Sequence, residues 1–182
     1  MHGVEILNGD SLLGWEKIFP CWFNEIDRTL GLTQGHDAQY VHAEQGNSHL
    51  FAVAATLAGY ATLREILGGR DEASRSGRLD LCLISEQFLD VVEAKWHHFD
   101  LFSSPPLGEI SNRVRSASKD AMNFGNAGEL FKSEHKIIRR AGITFLTPHF
   151  NPRLAFDGSV IPSLIDAIKN SIRPDIVAWS FP

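Results

Sequence analysis

Three apolar runs separated by polar turns dominate the middle of the chain and restrict what it can fold into. The runs cover Ala61–Leu67, Arg78–Ile84 and residues 88–96, and each has the length and apolar content of a β-strand. The turns between them, residues 68–77 and 85–87, are too short to contain a crossover helix. Consecutive strands must therefore run antiparallel, and the sequence predicts a three-stranded meander.

Helical segments precede and follow this meander. An apolar stripe predicts a helix over residues 12–30, kinked or split at Pro20, and the apolar stretch 43–58 predicts a helix buried against a sheet. The later elements, in chain order, are a loop at 102–118, a helix at 127–140, a strand at 143–147, a helix at 161–172 and a strand at 175–180. This pattern indicates an α/β fold whose central mixed sheet begins with the meander and carries helices on both faces.

Length and composition limit the class of protein. The 182 residues fit a single domain, with residues 1–42 as a helical extension and 43–182 as the core. The two cysteines, Cys21 and Cys82, are far apart and follow no metal-ligand spacing, which excludes a disulfide framework and a zinc ribbon. We find no apolar run long enough to span a membrane and no signal peptide, so we expect a soluble, cytoplasmic protein.

Charged side chains lie inside two of the apolar runs. Asp80 is in the second run, and Glu93 and Lys95 are in the third. Burying an unpaired charge is costly, so something must compensate these groups. Glu93 and Lys95 are two residues apart and therefore share one face of their strand. A hairpin centred between Glu86 and Gln87 places Asp80 opposite Glu93 on that face.

Two carboxylates in cross-strand register repel each other, and a hard divalent cation would relieve the repulsion. Lys95, beside them, could orient or activate an attacking water or stabilise charge that develops on phosphorus. The alternative is structural: Lys95 could form an ion pair with Asp80 or Glu93 at the end of the sheet. Both interpretations remain open at this point.

The arrangement resembles the PD-(D/E)XK nuclease superfamily, which has the restriction-endonuclease-like fold. That family carries an Asp on one strand of a hairpin and Glu-x-Lys on the next, here Asp80 and Glu93-Ala94-Lys95. It often adds a Glu from the preceding helix, a place that Glu44 occupies. The resemblance implies hydrolysis of phosphodiesters in DNA, or alternatively RNA, dependent on Mg²⁺ or Mn²⁺, with Asp80, Glu93 and Glu44 as metal ligands and Lys95 as a catalytic residue.

Three features in and around the motif bear on the resemblance. Leu79 precedes Asp80 where the family often has proline, so one residue of the family motif is missing. Glu65, on the first strand, is a second candidate for the position assigned to Glu44. His97 and His98, directly after the Glu-x-Lys strand, are either groups near the scissile phosphate or two exposed side chains at a strand end.

The distribution of charge bears on the partner. The net charge is −5, but residues 111–182 contain ten basic and six acidic side chains. The candidate nucleic-acid contacts are Arg113, Arg115, Lys132, Lys136, Arg139 and Arg140. Such contacts would hold phosphates without reading base sequence. The alternative is that these cations are the solvated face of a helix.

A second function class fits the same scaffold. The acidic first two-thirds of the chain favours a catalytically inactive interaction or regulatory protein, because one fold can host unrelated functions. A nuclease that cuts duplex DNA often acts as a dimer, so a homodimer also stays open.

Overall fold

The computed structural model describes six stretches of the chain: 2–34, 44–67, 78–100, 106–124, 136–149 and 159–180. Their helices and strands, in chain order, are β1 (His2–Ile6), α1 (Ile18–Leu32), α2 (Glu44–Leu57), β2 (Ala61–Leu67), β3 (Arg78–Ile84), β4 (Phe88–Asp100), α3 (Leu107–Asn123), β5 (Ile137–His149), α4 (Val160–Ile172) and β6 (Ile176–Ser180). Within these stretches, none of the helices has the length and apolar content needed to cross a membrane.

A four-stranded mixed sheet forms the centre of this α/β fold. Its strands lie side by side in the order β2, β3, β4, β5. The first three pair antiparallel, and β5 runs parallel to β4 along the whole length of both strands. Parallel neighbours need a crossover connection, and α3 lies in the segment that joins them.

The sheet differs from the predicted one beyond its third strand. We expected a helix over 127–140, but residues 137–140 belong to β5, where they pair with Phe88–Val91. This edge pairing overrides the helical tendency of the charged stretch. Residues 127–135 of that predicted helix lie outside the described residues. The strand expected at 175–180 forms as β6 but pairs with β1 in a separate two-stranded sheet, and we had assigned no strand to β1.

Two predictions about proline-containing segments are wrong. Most of the loop expected over 102–118 is helical, because α3 begins directly after Pro106 and continues to Asn123. Its buried residues Ala117 and Ala121 are one turn apart, as a helix packed on a sheet requires. Pro20 does not split α1. It is the third residue of that helix, where backbone N–H groups have no intrahelical acceptor, so its missing N–H is tolerated.

The helices cover opposite faces of the central sheet. On one face α1 and α2 enclose the main core, in which Phe51 of α2 contacts Phe145 of β5, with 6.2 Å between ring centroids. On the other face α3 approaches β5 closely at Gly142. A Cβ added to Gly142 would lie 2.4 Å from the backbone nitrogen of Ser118, so only glycine permits this approach.

Candidate functional site

The candidate carboxylates lie where β3 and β4 stop pairing. The last pair at this end is Leu81 with Val92, which is the register that the predicted hairpin centre requires. One residue further on, the Asp80 carboxylate accepts a hydrogen bond from the backbone N–H of Ala94, at 2.8 Å. The Asp80 side chain thus satisfies an N–H group of β4 just beyond the last strand pair, and this contact fixes Asp80 beside Glu93.

Asp80 and Glu93 form a hydrogen-bonded pair of carboxyl groups. Glu93 is only 8% exposed. Burial, followed by the charge of Asp80 and the hydrogen bond to it, raises the pKa of Glu93 to about 8. Glu93 therefore keeps a proton near neutral pH. While Glu93 keeps this proton, the two carboxyl groups can lie close together without the repulsion between two carboxylates.

Lys95 lies on the same face of β4, two residues beyond Glu93. Its ammonium Nζ is 3.1 Å from a carboxylate oxygen of Asp120, on α3. Burial opposes the charge on Lys95, but the hydrogen bond and charge of Asp120 outweigh it. With smaller contributions from Glu93 and Glu44, they raise the pKa of the amine. Lys95 is therefore a protonated ammonium group at neutral pH.

Glu44 approaches this group from the first turn of α2. Burial and then the charge of Asp80 raise the pKa of Glu44, while Lys95, a backbone hydrogen bond from Trp96 and the charge of Arg113 act in the opposite direction. The alternative candidate, Glu65, instead pairs with Arg78 at 2.8 Å. The structure thus places Glu44 within the electrostatic reach of the carboxyl pair.

The carboxyl pair offers the donor chemistry that Mg²⁺ needs. Among the described residues, no group of three or more His, Cys, Asp or Glu side chains is arranged to hold a metal ion. Mg²⁺ does not need such a group, because it commonly binds one or two carboxylates and completes its shell with water and phosphate oxygens. Asp80 and Glu93 supply two hard oxygen donors. They fit the ion, and Glu44 lies beside them.

Sequence reasoning missed Asp120, because the preceding segment was interpreted as a loop. Once α3 is recognised, helical spacing places Arg113, Ser116 and Asp120 along one side of it. The Ser116 hydroxyl donates to the Asp120 carboxylate at 3.3 Å. The signal that could have identified Asp120 is the helical repeat of small buried residues, Ala117 and Ala121, on the adjoining face.

The two arginines predicted to bind phosphate on a loop lie instead on α3, and both are exposed. Residues two positions apart in a helix are related by a rotation of about 200° around its axis, so Arg113 and Arg115 point in nearly opposite directions. Arg113 is the one whose charge reaches Glu44. A phosphate contact by Arg115 stays a prediction.

Two other predicted phosphate contacts are engaged with protein groups. The Arg139 guanidinium binds the fully buried Asp90 carboxylate at 2.5 and 2.7 Å and covers the Phe88 ring at 3.7 Å. Lys136 donates to the backbone oxygen of Ser85 at 2.5 Å. Neither side chain is on the helix that we expected. Arg140 lies in β5 beside Val91, and Lys132 lies outside the described residues.

The candidate His97 and the thiol of Cys82 both lie in surroundings that favour a structural role. His97 is 3.6 Å from Glu109 of α3, and its buried Nε2 makes no hydrogen bond. Cys82 is fully buried, and burial followed by the charge of Asp90 raises the pKa of its thiol to about 12. Cys82 therefore stays a neutral core thiol rather than a nucleophile.

The structure brings Asp80, Glu93, Lys95 and Glu44 into one electrostatic cluster and adds Asp120 to it. The cluster combines a proton-sharing acid pair, a fixed ammonium group and a third carboxyl group at the end of a strand pair. Comparison of the chain with protein-family models, with curated proteins and with solved structures finds no match in any of the three.

Proposed function

We propose that this chain hydrolyses phosphodiesters of nucleic acid, with DNA as the expected substrate, at a metal-dependent site of the PD-(D/E)XK type. The observation that carries the proposal is the hydrogen-bonded Asp80–Glu93 pair, with the Lys95 ammonium on the same strand face. A buried acid with a raised pKa, paired with a second carboxyl group and next to a cation, is typical of a functional site.

The order of elements supports a restriction-endonuclease-like core. A helix, three antiparallel strands, a second helix and a strand parallel to the third follow one another as α2, β2, β3, β4, α3 and β5. This is the element order that the sequence resemblance implies. It places the Asp strand and the Glu-x-Lys strand side by side in the interior of the sheet, with α2 and α3 at the two sides of the site.

The side chains divide the chemistry among themselves. Asp80 and Glu93 would hold Mg²⁺ or Mn²⁺, and Glu44 would complete the ligand set directly or through water. When bound, such an ion supplies a Lewis acid that offsets phosphate charge and makes water more acidic. The Lys95 ammonium would orient the attacking water or donate to a phosphoryl oxygen as charge develops on it.

Charge balance implies an order of binding. The cluster contains four carboxyl groups, Glu44, Asp80, Glu93 and Asp120, and two cations, Lys95 and Arg113, so acids outnumber cations even while Glu93 keeps its proton. Such a site repels an anionic phosphodiester until a divalent cation neutralises the excess negative charge. Metal binding would thus precede substrate binding, and Arg113 would add a positive charge at the side of α3.

Cleavage of DNA by site variants tests the proposal. We expect the purified chain to cleave plasmid or oligonucleotide DNA only with Mg²⁺ or Mn²⁺. Asp80→Asn and Lys95→Ala should each lower the rate by about a hundredfold or more, because each removes a group that acts in the transition state. Asp166→Asn, at an exposed surface ion pair, is the matched control and should cleave like the parent.

Circular dichroism decides whether a loss of cleavage reflects the site or the fold. Inactive variants with the parent's spectrum and thermal midpoint support the proposal. The proposal is contradicted if the parent cleaves none of duplex DNA, single-stranded DNA and RNA with either metal.

A second candidate is a non-enzymatic interaction protein on the same scaffold. The favouring observation is that a proton satisfies the Asp80–Glu93 pair and Asp120 pairs with Lys95, so these side chains have partners without a metal ion. This candidate predicts a thermal midpoint that Mg²⁺ and Mn²⁺ do not change. A midpoint that rises with either ion, and no longer does so in Asp80→Asn, counts against it.

A further inference from the structure

We infer that Asp120 is a positioning residue for the proposed hydrolysis: it holds the Lys95 ammonium over the carboxyl pair. The inference rests on the proposed function, and nothing in the sequence motif assigns it. Its basis is the 3.1 Å contact between Lys95 Nζ and Asp120 Oδ2 across the β4–α3 interface. Lysine has a flexible four-carbon stem, and without a fixed partner its ammonium moves toward solvent.

Among the described residues, Asp120 is the acid that lies at ion-pair distance from Lys95. The neighbouring acids are engaged elsewhere. Glu93 is hydrogen-bonded to Asp80, and Glu44 accepts a hydrogen bond from the backbone of Trp96. Of these acids, Asp120 is therefore the one that can hold Lys95 while the proposed metal ligands stay in place.

Helix stability does not account for an aspartate at this place. Asp120 lies in the last turn of α3, where the negative end of the helix dipole disfavours an acid. Its side chain is 44% exposed, so it does not fill a core position. Its described side-chain contacts are the ion pair with Lys95 and the hydrogen bond from Ser116, which orients the carboxylate.

The helix that carries Asp120 packs closely on the sheet. The backbone of α3 at Ala117 and Ser118 packs directly on Gly142 of β5, which is the strand neighbour of Glu93. The helix thus contacts the sheet next to the carboxyl pair, one turn before Asp120. A side chain on a rigid element defines the position of its partner more accurately than one on a loop.

The mobility of the Lys95 ammonium tests the inference without relying on activity. Nitrogen-15 relaxation of the lysine ammonium groups reports how firmly each one is held, and the Lys95 signal is assigned by its loss in Lys95→Arg. We expect Lys95 to be ordered in the parent and in Asp120→Glu, and mobile in Asp120→Asn. Asp166→Asn should leave Lys95 unchanged. A Lys95 ammonium that is equally ordered in Asp120→Asn would overturn the inference.

Steady-state cleavage gives the functional measurement. Asp120→Asn should lower kcat about tenfold while KM stays within about twofold, because misplacing a group that acts on the reacting phosphate affects the transition state most. Asp120→Glu should recover most of kcat. Equal kcat values for Asp120→Asn and the parent would overturn the inference.

The two readouts separate failure of the inference from failure of the proposed function. A parent without cleavage contradicts the proposed function and, with it, the catalytic consequence of Asp120. A cleaving parent with an unaffected Asp120→Asn variant contradicts only the role of Asp120. Thermal unfolding of Asp120→Asn should stay close to that of the parent, since the Asp120 side chain is 44% exposed and its removal as an acid from the last turn favours the helix.

Discussion

Glu93 lies in surroundings that change how it titrates. Burial and the neighbouring Asp80 raise its pKa from 4.5 to about 8. In the unfolded chain the same side chain ionises near its ordinary value. Between these two pKa values the folded protein keeps a proton that the unfolded chain has released, so this group makes the fold less stable as pH rises through the window.

Replacing Glu93 by glutamine should remove that pH dependence. Glutamine stays neutral at every pH and can still donate to Asp80. The parent should therefore lose stability relative to Glu93→Gln, by a few kcal/mol at most, as pH rises from about 4.5 to about 8. Urea unfolding at several pH values measures this difference. Glu109→Gln, at an exposed site, is the control, and parallel curves for the parent and Glu93→Gln would contradict the assignment.

Arg139 was predicted to contact phosphate, but in the structure it pairs with a buried carboxylate. Its pairing with the fully buried Asp90 predicts that Arg139→Ala lowers the free energy of unfolding by about 3–5 kcal/mol, since Asp90 loses its cationic partner. Arg115→Ala, at an exposed helix position, should change it by less than about 0.5 kcal/mol. Urea denaturation decides. An Arg139→Ala variant of unchanged stability that binds DNA more weakly would restore the phosphate-contact interpretation.

At the scale of elements, the site depends on how closely α3 lies against β5. The approach is possible because Gly142 has no side chain, and Gly142 is the strand neighbour of Glu93. Any displacement of α3 would move Asp120 away from Lys95 as well as loosen the packing of the helix. The spacing of one helix thus links stability to the geometry of the candidate site.

Gly142→Ala should therefore affect both stability and the site. The added methyl group would overlap the backbone of α3, and overpacking of this kind costs about 1–3 kcal/mol. Gly108→Ala is the matched control, because nothing lies within 4 Å of the added carbon and alanine favours the helix. We expect a lower thermal midpoint and a more mobile Lys95 ammonium only in Gly142→Ala. Equal behaviour of the two variants would show that the contact is unimportant.

The elements also show which parts of the fold local sequence can predict. The bounds of β2 and β3 and the hairpin register follow from apolar runs joined by a short turn, so local information suffices. The extension of β5 back to Ile137 depends on its pairing with β4, which lies far away in sequence. The pairing of β1 with β6 joins the two ends of the described chain, and no local pattern contains it.

The candidate site follows the same division. Asp80, Glu93 and Lys95 were identified because charge inside an apolar strand needs a partner, and strand alternation places them on one face. Asp120 could not be found that way, since it comes from a helix that the serine and proline residues before it obscured. Arg139 was misplaced because its partner, Asp90, lies on another strand.

In the molecule as a whole, helices cover both faces of the central sheet, and its second and third strands stop pairing at a cluster of acids. The Arg139–Asp90 pair and the indole of Trp15, which donates to Asp90 at 2.8 Å, connect the early part of the chain to the sheet away from that cluster. Within the cluster, a proton lies on Glu93 beside Asp80, and Lys95 forms an ion pair with Asp120. The central claim is that a divalent cation replaces the proton.

Crystals of the chain soaked with Mn²⁺ above neutral pH test this claim most directly, because the anomalous signal locates the ion. We expect an anomalous peak between Asp80 and Glu93, with the hydrogen bond between the two carboxyl groups lost, and no peak there in Asp80→Asn crystals. Carboxyl groups that remain hydrogen-bonded to each other, with no peak beside them at saturating Mn²⁺, would contradict it.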